Sequence, residues 1–296
     1  MRFGSLSKGD KVYTVVSNTL LFFLLLVTLY PLLNVLSSSF SDPKAIGAGR
    51  VAIFPVDFSL DGYRELSRYT PIWVGYKNSI MYTIVGTFVN VTLTIMAAYP
   101  LSRKDFRGRG LFIVFFAFTM YFSGGMIPSY MLIRNLNLFN NFWVMVLPGA
   151  LSVYNVIITR TYFQSNIPDS FLEAARLDGC TDVKFLTQVA IPLSTPIIAV
   201  NFLFYAVGHW NAFFDAMLYL SDTKMKPLQV VLRDILIESR ISADFNFDSK
   251  YAEAKQSIAE ILKYSTIVAS TLPVMLMYPF VQKYFIKGIM LGGLKG

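Results

Sequence analysis

The sequence predicts an all-α protein that crosses a membrane six times and carries a polar helical hairpin between its fourth and fifth spans. Its 296 residues are 54% hydrophobic and only 15% charged, and the mean hydropathy is +0.51. A soluble domain has about 25% charged residues, so the composition favours a membrane protein. The second observation is a set of long apolar runs, and the third is the polar segment that separates two of them.

Six apolar runs have the length of a transmembrane helix, since about 20 residues cross about 30 Å of hydrocarbon. One such run also fits a buried helix of a large soluble protein, but six runs with aromatic ends and almost no internal charge favour the membrane. The first run is longer than a signal-peptide core, so we expect a retained helix. The predicted spans of a single domain, 1–296, are residues 12–36, 79–101, 111–133, 142–162, 196–220 and 265–286.

Basic residues indicate the orientation of these spans. If the amino terminus is cytoplasmic, the inner segments contain 13 basic and six acidic residues, and the outer segments contain 13 and 11. Cytoplasmic loops are the more basic ones, so we expect both termini inside. This asymmetry accounts for most of the net charge of +8, and no basic stripe or base-stacking surface points to a nucleic-acid partner.

Two longer segments are then predicted on the outer side. Residues 37–77 contain several prolines, glycines and aspartates, which favour turns and an irregular cap. Residues 221–263 include the run LQVVLRDILIES followed by the polar stretch SADFNFDSKYAEAKQSIAEILK, which predicts helical pieces joined by a turn. This second segment fits either a contact with a protein delivered from outside or a solvated cover over the helices.

The polar segment, residues 167–192, predicts two short helices and a corner. Ser170 and Glu173 have the spacing of a capping box, and a proline precedes them. A first helix is therefore expected over residues 171–178. Gly179 suits the left-handed residue that ends a helix.

The second half of the segment predicts another short helix. Thr181 or Asp182 can cap it, and Pro192 prevents it from continuing unbroken into the next span. Ala174 and Ala175 leave a shallow surface for another protein's backbone, with charged pairing at its rim. The residues expected to offer that pairing are Glu173, Arg176 and Asp178.

An alternative for the polar segment is an amphipathic helix that lies on lipid. Against it, the segment contains four acidic residues and only two basic ones after Arg160, a poor match to an anionic leaflet. The residues that would form its apolar face are Phe171, Leu172, Val183, Phe185 and Leu186.

The polar segment also carries a known residue spacing. Glu173, Ala174 and Ala175 are followed by three residues and Gly179, then by nine residues and the run VAIP, which ends at Pro192. This pattern resembles the coupling motif of permease subunits in bacterial ABC importers, which is EAA, three residues, G, nine residues, I, any residue, L, P. Here valine and isoleucine replace the usual isoleucine and leucine. The resemblance implies the type I ABC importer permease fold.

Four further stretches narrow the resemblance to the maltose-permease-like carbohydrate branch. They are SSSFSDP after the first span, SGGMIPSYMLIRNLNLFNN around the third, GHWNAFFDAMLYL in the fifth and FIKGIMLGGLKG at the end. Within that branch the chain looks similar to permeases for polysaccharide fragments, including the alginate importer. The expected substrate is an oligosaccharide, and an acidic one if the likeness to the alginate importer extends to the substrate.

The resemblance also implies an assembly in a bacterial cytoplasmic membrane. The expected partners are a second homologous permease, two ATPase subunits that bind ATP and Mg²⁺, a solute-binding protein outside the cytoplasm and membrane lipid; the chain itself needs no cofactor. The tail, residues 288–296, either inserts between the ATPase subunits or is unstructured. By resemblance, the residues that couple to the ATPase are Glu173, Ala174, Ala175, Asp178, Gly179 and Pro192.

Polar groups inside spans are costly unless they are paired or face a water-filled cavity, so they are candidates for the substrate path. Ser123, Gly124 and Gly125, with Pro128, interrupt the third span, which predicts either a cavity wall or a kink among packed helices. The polar groups of the fifth span equally fit helix-to-helix hydrogen bonds. The candidates are Tyr130, Asn201, Tyr205, His209, Trp210, Asn211 and Asp215.

The residue types predict that the chain is not an enzyme. No phosphate-binding loop with a following lysine and hydroxyl residue occurs, so ATP hydrolysis belongs to a partner. One histidine, one cysteine and no carboxylate cluster within the spans provide neither a zinc site nor a protease dyad. An ion-coupled secondary transporter and a membrane scaffold subunit that transports nothing are the alternative functions.

Overall fold

The computed structural model describes residues 7–244, 261–279 and 282. Apart from one isolated antiparallel bridge between Ser41 and Phe58, the regular structure of these residues is helical. The helices are α1 Lys8–Ser39, α2 Pro43–Gly47, α3 Asp61–Arg68, α4 Thr70–Ser102, α5 Arg109–Tyr121, α6 Met126–Asn135, α7 Val153–Asn166, α8 Asp169–Leu177, α9 Asp182–Phe185, α10 Ile191–Leu193, α11 Thr195–Trp210, α12 Phe214–Tyr219, α13 Leu228–Asp244 and α14 Ile261–Pro279.

The chain divides into two compact units. The first comprises residues 1–70 and 232–271, and the second comprises residues 71–231 and 272–296. In the first unit, α1 is apolar on all sides and its apolar side chains are exposed, which is typical of a helix that faces lipid or another protein. The predicted irregular cap consists of two short helices, α2 and α3, joined by turns.

Close packing in the first unit depends on a glycine of α3. A Cβ atom at Gly62 would overlap the side chains of Ile261 and Ser265 on α14. The hydroxyl of Tyr63 donates a hydrogen bond to Ser39 Oγ at 2.9 Å. These contacts join α3 to both long helices of the unit.

The second unit is built around α4. One core cluster packs against its carboxy-terminal end, and another packs around Tyr82 in its first half. The predicted interruption of the third span is confirmed: α5 ends at Tyr121, α6 begins at Met126, and the two helices are bent by 110°. Gly125 has a φ of +85°, a conformation that favours glycine over other residues.

The prediction of one helix over residues 142–162 is wrong. A short 3₁₀ helix, Phe142–Met145, is followed by a turn at Gly149 (φ +71°), and α7 begins only at Val153. Its 14 residues rise about 21 Å, less than a bilayer core. The run is only partly buried: Val144 and Val146 are 1% and 0% exposed, whereas Trp143 and Leu147 are 46% and 47% exposed.

The fifth and sixth predicted spans also have other bounds. The helix predicted over residues 196–220 ends at Trp210, and a separate α12 follows. The sixth is helical from Ile261 to Pro279. Apart from residue 282, the rest of its predicted range lies outside the described residues. The same holds for the tail, 288–296, and for residues 245–260 of the second predicted outer segment. Within the part described, three helices are long and apolar enough to cross a membrane, and two bent helix pairs raise this number to five.

Candidate functional site

The hairpin, residues 167–192, begins with α8. This helix starts at Asp169, two residues before the predicted start, and Pro168 occupies the N-cap position without a side-chain hydrogen bond. The predicted capping box of Ser170 and Glu173 is therefore wrong, because both residues lie inside the helix. Proline is compatible with this position, since a helix can be entered from it.

The corner of the hairpin follows the local signals in the sequence. Gly179 has a φ of +73°, which confirms the left-handed residue after α8. Thr181 Oγ1 accepts a hydrogen bond from the backbone N–H of Lys184 at 3.3 Å and caps α9. The chain then passes through a π-helical turn, Leu186–Ala190, into α10. The break predicted from Pro192 lies at Ser194, where the helix bends by 82° into α11.

The inner face of the hairpin is apolar and buried. Leu172 of α8 is 2% exposed and Phe185 of α9 is 0% exposed. Both belong to the core cluster that contains Ala98 and Tyr99 of α4 and Phe163 of α7. A fully buried apolar side chain of this size contributes about 1.5–3 kcal/mol, so the hairpin is fixed to the ends of α4 and α7.

Ion pairs add a second attachment, from the loop that follows α4. Lys104 Nζ lies 2.9 Å from Asp169 Oδ2 at the start of α8. Arg176 Nη2, near the end of α8, lies 2.8 Å from Asp105 Oδ2 and 3.1 Å from Asp182 Oδ1. The loop therefore pairs with both ends of the first hairpin helix. Arg176 is thus engaged within the chain, which corrects the prediction that it offers its charge to another protein.

These pairs shift the pKa values of the carboxyl groups. The hydrogen bond from Arg176 holds the pKa of Asp105 below its ordinary value, and the hydrogen bond from Lys104 does the same for Asp169. Reciprocally, hydrogen bonds to Asp105 and Asp182 raise the pKa of Arg176. Arg103 supports the cluster from a mostly buried side chain, with Nη2 3.6 Å from Asp169 Oδ1.

The outward face of α8 combines motif residues with exposed apolar side chains. Leu177 is 90% exposed, Phe171 is 49% exposed, and Val183 of α9 is 72% exposed. Glu173 is exposed one turn before Leu177, and its carboxylate has no ion pair or hydrogen bond with any described residue. Ala174 is also exposed. Leu177 is not among the residues selected from the sequence, although a residue four positions after Glu173 lies on the same face of a helix.

The other predicted coupling residues have different surroundings. Ala175 is half-buried and packs against the core cluster. Asp178 is exposed and forms the C-cap of α8, and Gly179 is exposed at the corner. Pro192 lies within α10. Of the six predicted coupling residues, only Ala175 is partly withdrawn into the core, while Asp178 and Gly179 are exposed and also form the corner.

Two predicted substrate-path residues of α11 are buried and hydrogen bonded to other helices. Asn201 is 0% exposed, and its Nδ2 donates to Thr159 Oγ1 of α7 at 2.6 Å. The Tyr205 hydroxyl lies 2.6 Å from Thr94 Oγ1 of α4 and accepts a hydrogen bond from the backbone N–H of Ser152 at 3.2 Å. These contacts favour the helix-packing interpretation of both residues.

The remaining candidates of the fifth span lie near its other end. His209 Nε2 is 3.1 Å from Asn90 Nδ2 of α4, against the backbone of Gly86. Trp210 is 3% exposed, whereas Asn211 and Asp215 are exposed. The predicted candidates are therefore not brought together on one surface.

Tyr130, which lies in α6 after the break in the third span, lines a cavity of about 520 Å³. The other residues of its wall are Arg134, Asn137 and Phe139. Sequence reasoning did not single out these three residues. Among residues 7–244, 261–279 and 282, no group of three or more His, Cys, Asp or Glu side chains is arranged to hold a metal ion.

Known proteins resemble the chain over nearly its whole length. The family described as "Binding-protein-dependent transport system inner membrane component" matches residues 7–291. The Bacillus subtilis polygalacturonan/rhamnogalacturonan transport system permease protein YtcP is 39% identical over 92% of this chain and 94% of its own length. The trehalose/maltose transport system permease protein MalG of Thermococcus litoralis is 28% identical over 92% of this chain and 93% of its own.

A solved structure supports the same relationship. It is the crystal structure of a bacterial ABC transporter involved in the import of the acidic polysaccharide alginate. One of its chains matches with a TM-score of 0.85 and 36% identity, over 96% of this chain and 100% of the other. These matches confirm the family resemblance drawn from the coupling motif. The chain therefore belongs to the binding-protein-dependent transport system inner membrane component family, as a sugar ABC transporter permease that works with a solute-binding protein and leaves ATP hydrolysis to separate ATPase subunits.

Proposed function

We propose that the chain is one of two homologous permeases in an ATP-driven importer that moves an acidic oligosaccharide from a solute-binding protein across the cytoplasmic membrane. In this proposal the chain crosses the membrane six times, the fourth time through the 3₁₀ helix and α7 together rather than through one helix. Both termini are cytoplasmic, and the hairpin lies on the cytoplasmic side. Two ATPase subunits bind ATP and Mg²⁺, and the permease itself holds no cofactor. The positive charge of the short inner loops supports the orientation.

The observation that carries the proposal is the contrast between the two faces of the hairpin. Its inner face is fixed by Leu172 and Phe185, whereas its outer face exposes Leu177 and Val183. An apolar side chain surrounded by polar and small residues is typical of an anchor that fills a pocket of a partner. We propose that this outer face docks on the ATPase, with the unpaired Glu173 at its rim.

The attachment of the hairpin explains how ATP-driven closure can reach the membrane. Leu172 and Phe185 pack against α4 and α7, and α10 continues through a bend into α11. A displacement of the hairpin is therefore transmitted to three helices at once, as expected of rigid levers in a two-state transition. The ion pairs of Asp105 and Asp169 restrict rotation of α8 within this attachment.

The names of the relatives support an acidic substrate. Polygalacturonan is a polymer of a uronic acid, and alginate is described as an acidic polysaccharide. Both relatives share more than a third of their residues with this chain. We propose that this chain carries fragments of a carboxylated polysaccharide.

The docking proposal predicts a large effect of Leu177→Asp. A carboxylate placed in an apolar pocket costs more than the about 2 kcal/mol that defines a binding hot spot, so copurification of the ATPase and the ATPase activity stimulated by the loaded binding protein should fall at least about tenfold. Because Leu177 is 90% exposed, the stability of the isolated permease should not change. Copurification and stimulated turnover in the reconstituted complex are the measurements.

The matched control is Leu60→Asp, the same change at a residue of the first outer segment that is 42% exposed. Its stimulated turnover should stay near that of the unaltered complex. Full coupling in Leu177→Asp would contradict the docking face. Uptake driven by an ion gradient in vesicles that contain the permease alone would contradict the importer and favour a secondary transporter.

A further inference from the structure

The cavity beside Tyr130 is open to its surroundings, with Arg134 and Asn137 exposed, and has the size and composition of a small-molecule site. Its volume is about 520 Å³, within the range of ligand pockets, which runs from about 300 to 1,000 Å³. Its wall contains two aromatic rings, from Tyr130 and Phe139, and two polar side chains, from Arg134 and Asn137. This combination of aromatic faces and a few convergent polar groups suits a sugar ring better than lipid.

The polar groups of this wall are free for a ligand. Among the described residues, the guanidinium of Arg134, the side-chain amide of Asn137 and the hydroxyl of Tyr130 have no hydrogen-bond or ion-pair partner. Arginine supplies five N–H donors and no acceptor, and asparagine adds two donors. Of the residues that the structure describes, no acidic one lines the cavity. The site is therefore rich in donors and carries one positive charge.

The aromatic rings of the wall are held in place by each other. The rings of Tyr130 and Phe139 lie 5.0 Å apart at 79°, and Phe139 meets Tyr219 of α12 edge-to-face at 5.7 Å. Tyr130 and Tyr219 are nearly parallel at 6.2 Å. Such contacts fix ring orientation before a ligand arrives, which lowers the entropy cost of binding.

The backbone places Arg134 and Asn137 on one side of a tight turn. Arg134 lies in the last turn of α6, and Asn137 follows with a φ of +53°, in the left-handed region. The helix dipole favours a cation at this end of α6, which accounts for the charge of Arg134 alone. It does not account for the unpaired amide and the aromatic wall beside that charge.

We infer that this cavity is a subsite for a uronate residue of the substrate; this rests on the proposed function as an importer of acidic oligosaccharides. Arg134 binds the carboxylate through two parallel N–H donors, the geometry that planar carboxylates favour. Asn137 and the Tyr130 hydroxyl hydrogen bond to sugar hydroxyls. Phe139 packs against the apolar face of the ring. The permease then distinguishes charged from neutral oligosaccharides independently of the binding protein.

The test is transport by the full complex in proteoliposomes, with binding protein that is loaded in advance and saturating. The probes are trigalacturonate and its fully methyl-esterified form, which has the same rings without the charges. Arg134→Gln should lower the maximal rate for trigalacturonate at least about tenfold, the value of a charge-assisted hydrogen bond. The rate for the ester should change by less than about twofold.

Three further variants test whether the effect depends on the charge, on the donor geometry and on the position of the arginine. Arg134→Lys keeps the charge and loses the two parallel N–H donors of the guanidinium, so its rate for trigalacturonate should be intermediate. Asn137→Gly keeps the left-handed turn and removes the amide, so the rates for both probes should fall by a similar factor. Arg68→Gln removes one charge from an exposed arginine of the first outer segment, and its ratio of the two rates should equal that of the unaltered complex.

The outcomes separate the subsite from the proposed function. If the unaltered complex accumulates neither probe on addition of ATP, the proposed function fails and the subsite fails with it. If the unaltered complex imports trigalacturonate and Arg134→Gln has the same rate and the same ratio, the subsite is overturned while the proposed function stands. A selective loss of trigalacturonate transport in Arg134→Gln, with Arg134→Lys intermediate, supports the subsite.

Discussion

The hairpin and α11 are consecutive in the chain, and the sequence marks polar residues in both as candidates for function. In the hairpin, Glu173 is exposed and unpaired among the described residues, beside the 90% exposed Leu177. In α11, Asn201 and Tyr205 are buried and hydrogen bonded to α7 and α4. A polar residue within an apolar span thus indicates helix packing as readily as a pathway. An exposed apolar residue on a polar element is the stronger sign of a partner.

The largest effect on stability is expected from removing a buried side chain of the hairpin. Phe185→Ala should lower the free energy of unfolding of the purified permease by about 3–5 kcal/mol, because the ring is 0% exposed within the core shared with α4 and α7. Chemical denaturation in detergent measures this change. Val183→Ala, at a residue of α9 that is 72% exposed, should stay within about 0.5 kcal/mol of the unaltered protein. Equal losses in the two variants would show that the hairpin has no inner and outer face.

The next largest effect is expected from removing the buried hydrogen bonds of α11. Tyr205→Phe removes only the hydroxyl and leaves the buried N–H of Ser152 and the hydroxyl of Thr94 without this partner, so the free energy of unfolding should fall by about 1–2 kcal/mol. Tyr154→Phe makes the same change at a residue that is 53% exposed and should have little effect. Both variants should keep the unaltered preference between acidic and neutral oligosaccharides in a transport assay. If Tyr205→Phe changed this preference without lowering the stability, the result would support a role for Tyr205 in the substrate path.

Local signals in the sequence predict the corner of the hairpin well. Gly179 and Thr181 act within a few residues of themselves, through a left-handed backbone and a cap, and both predictions are confirmed. The capping box fails because the spacing of Ser170 and Glu173 fits a cap without requiring one. Pro168, two residues before Ser170, provides an equally good start. Short-range rules therefore fix the turn and leave the first residue of the helix undetermined.

Long-range contacts are the part that the sequence does not predict. For the loop that contains Lys104 and Asp105 the sequence predicts only a positive charge, whereas the structure pairs this loop with residues 169 and 176 of the hairpin. Hydropathy fails similarly over residues 142–162, because apolar composition alone does not distinguish one continuous helix from a partly buried run that a turn divides. The coupling motif names residue types at fixed spacing, so it does not mark the exposed Leu177.

The smallest expected effect concerns the ion pairs that join the loop to the hairpin. Asp105→Asn removes the pair with Arg176, and because the carboxylate is about half exposed, the loss of stability should be about 0.5 kcal/mol at neutral pH. The lowered pKa of Asp105 gives this contribution a pH dependence. It is fully present above the unfolded pKa of about 3.9 and is lost as the pH falls through the lower folded pKa. The free energy of unfolding of the unaltered protein and that of Asp105→Asn should therefore differ by a constant amount from pH 5 to 8 and converge below about pH 4. A difference that grows with acid would contradict the assignment, because a favourable pair cannot strengthen as its carboxylate is protonated.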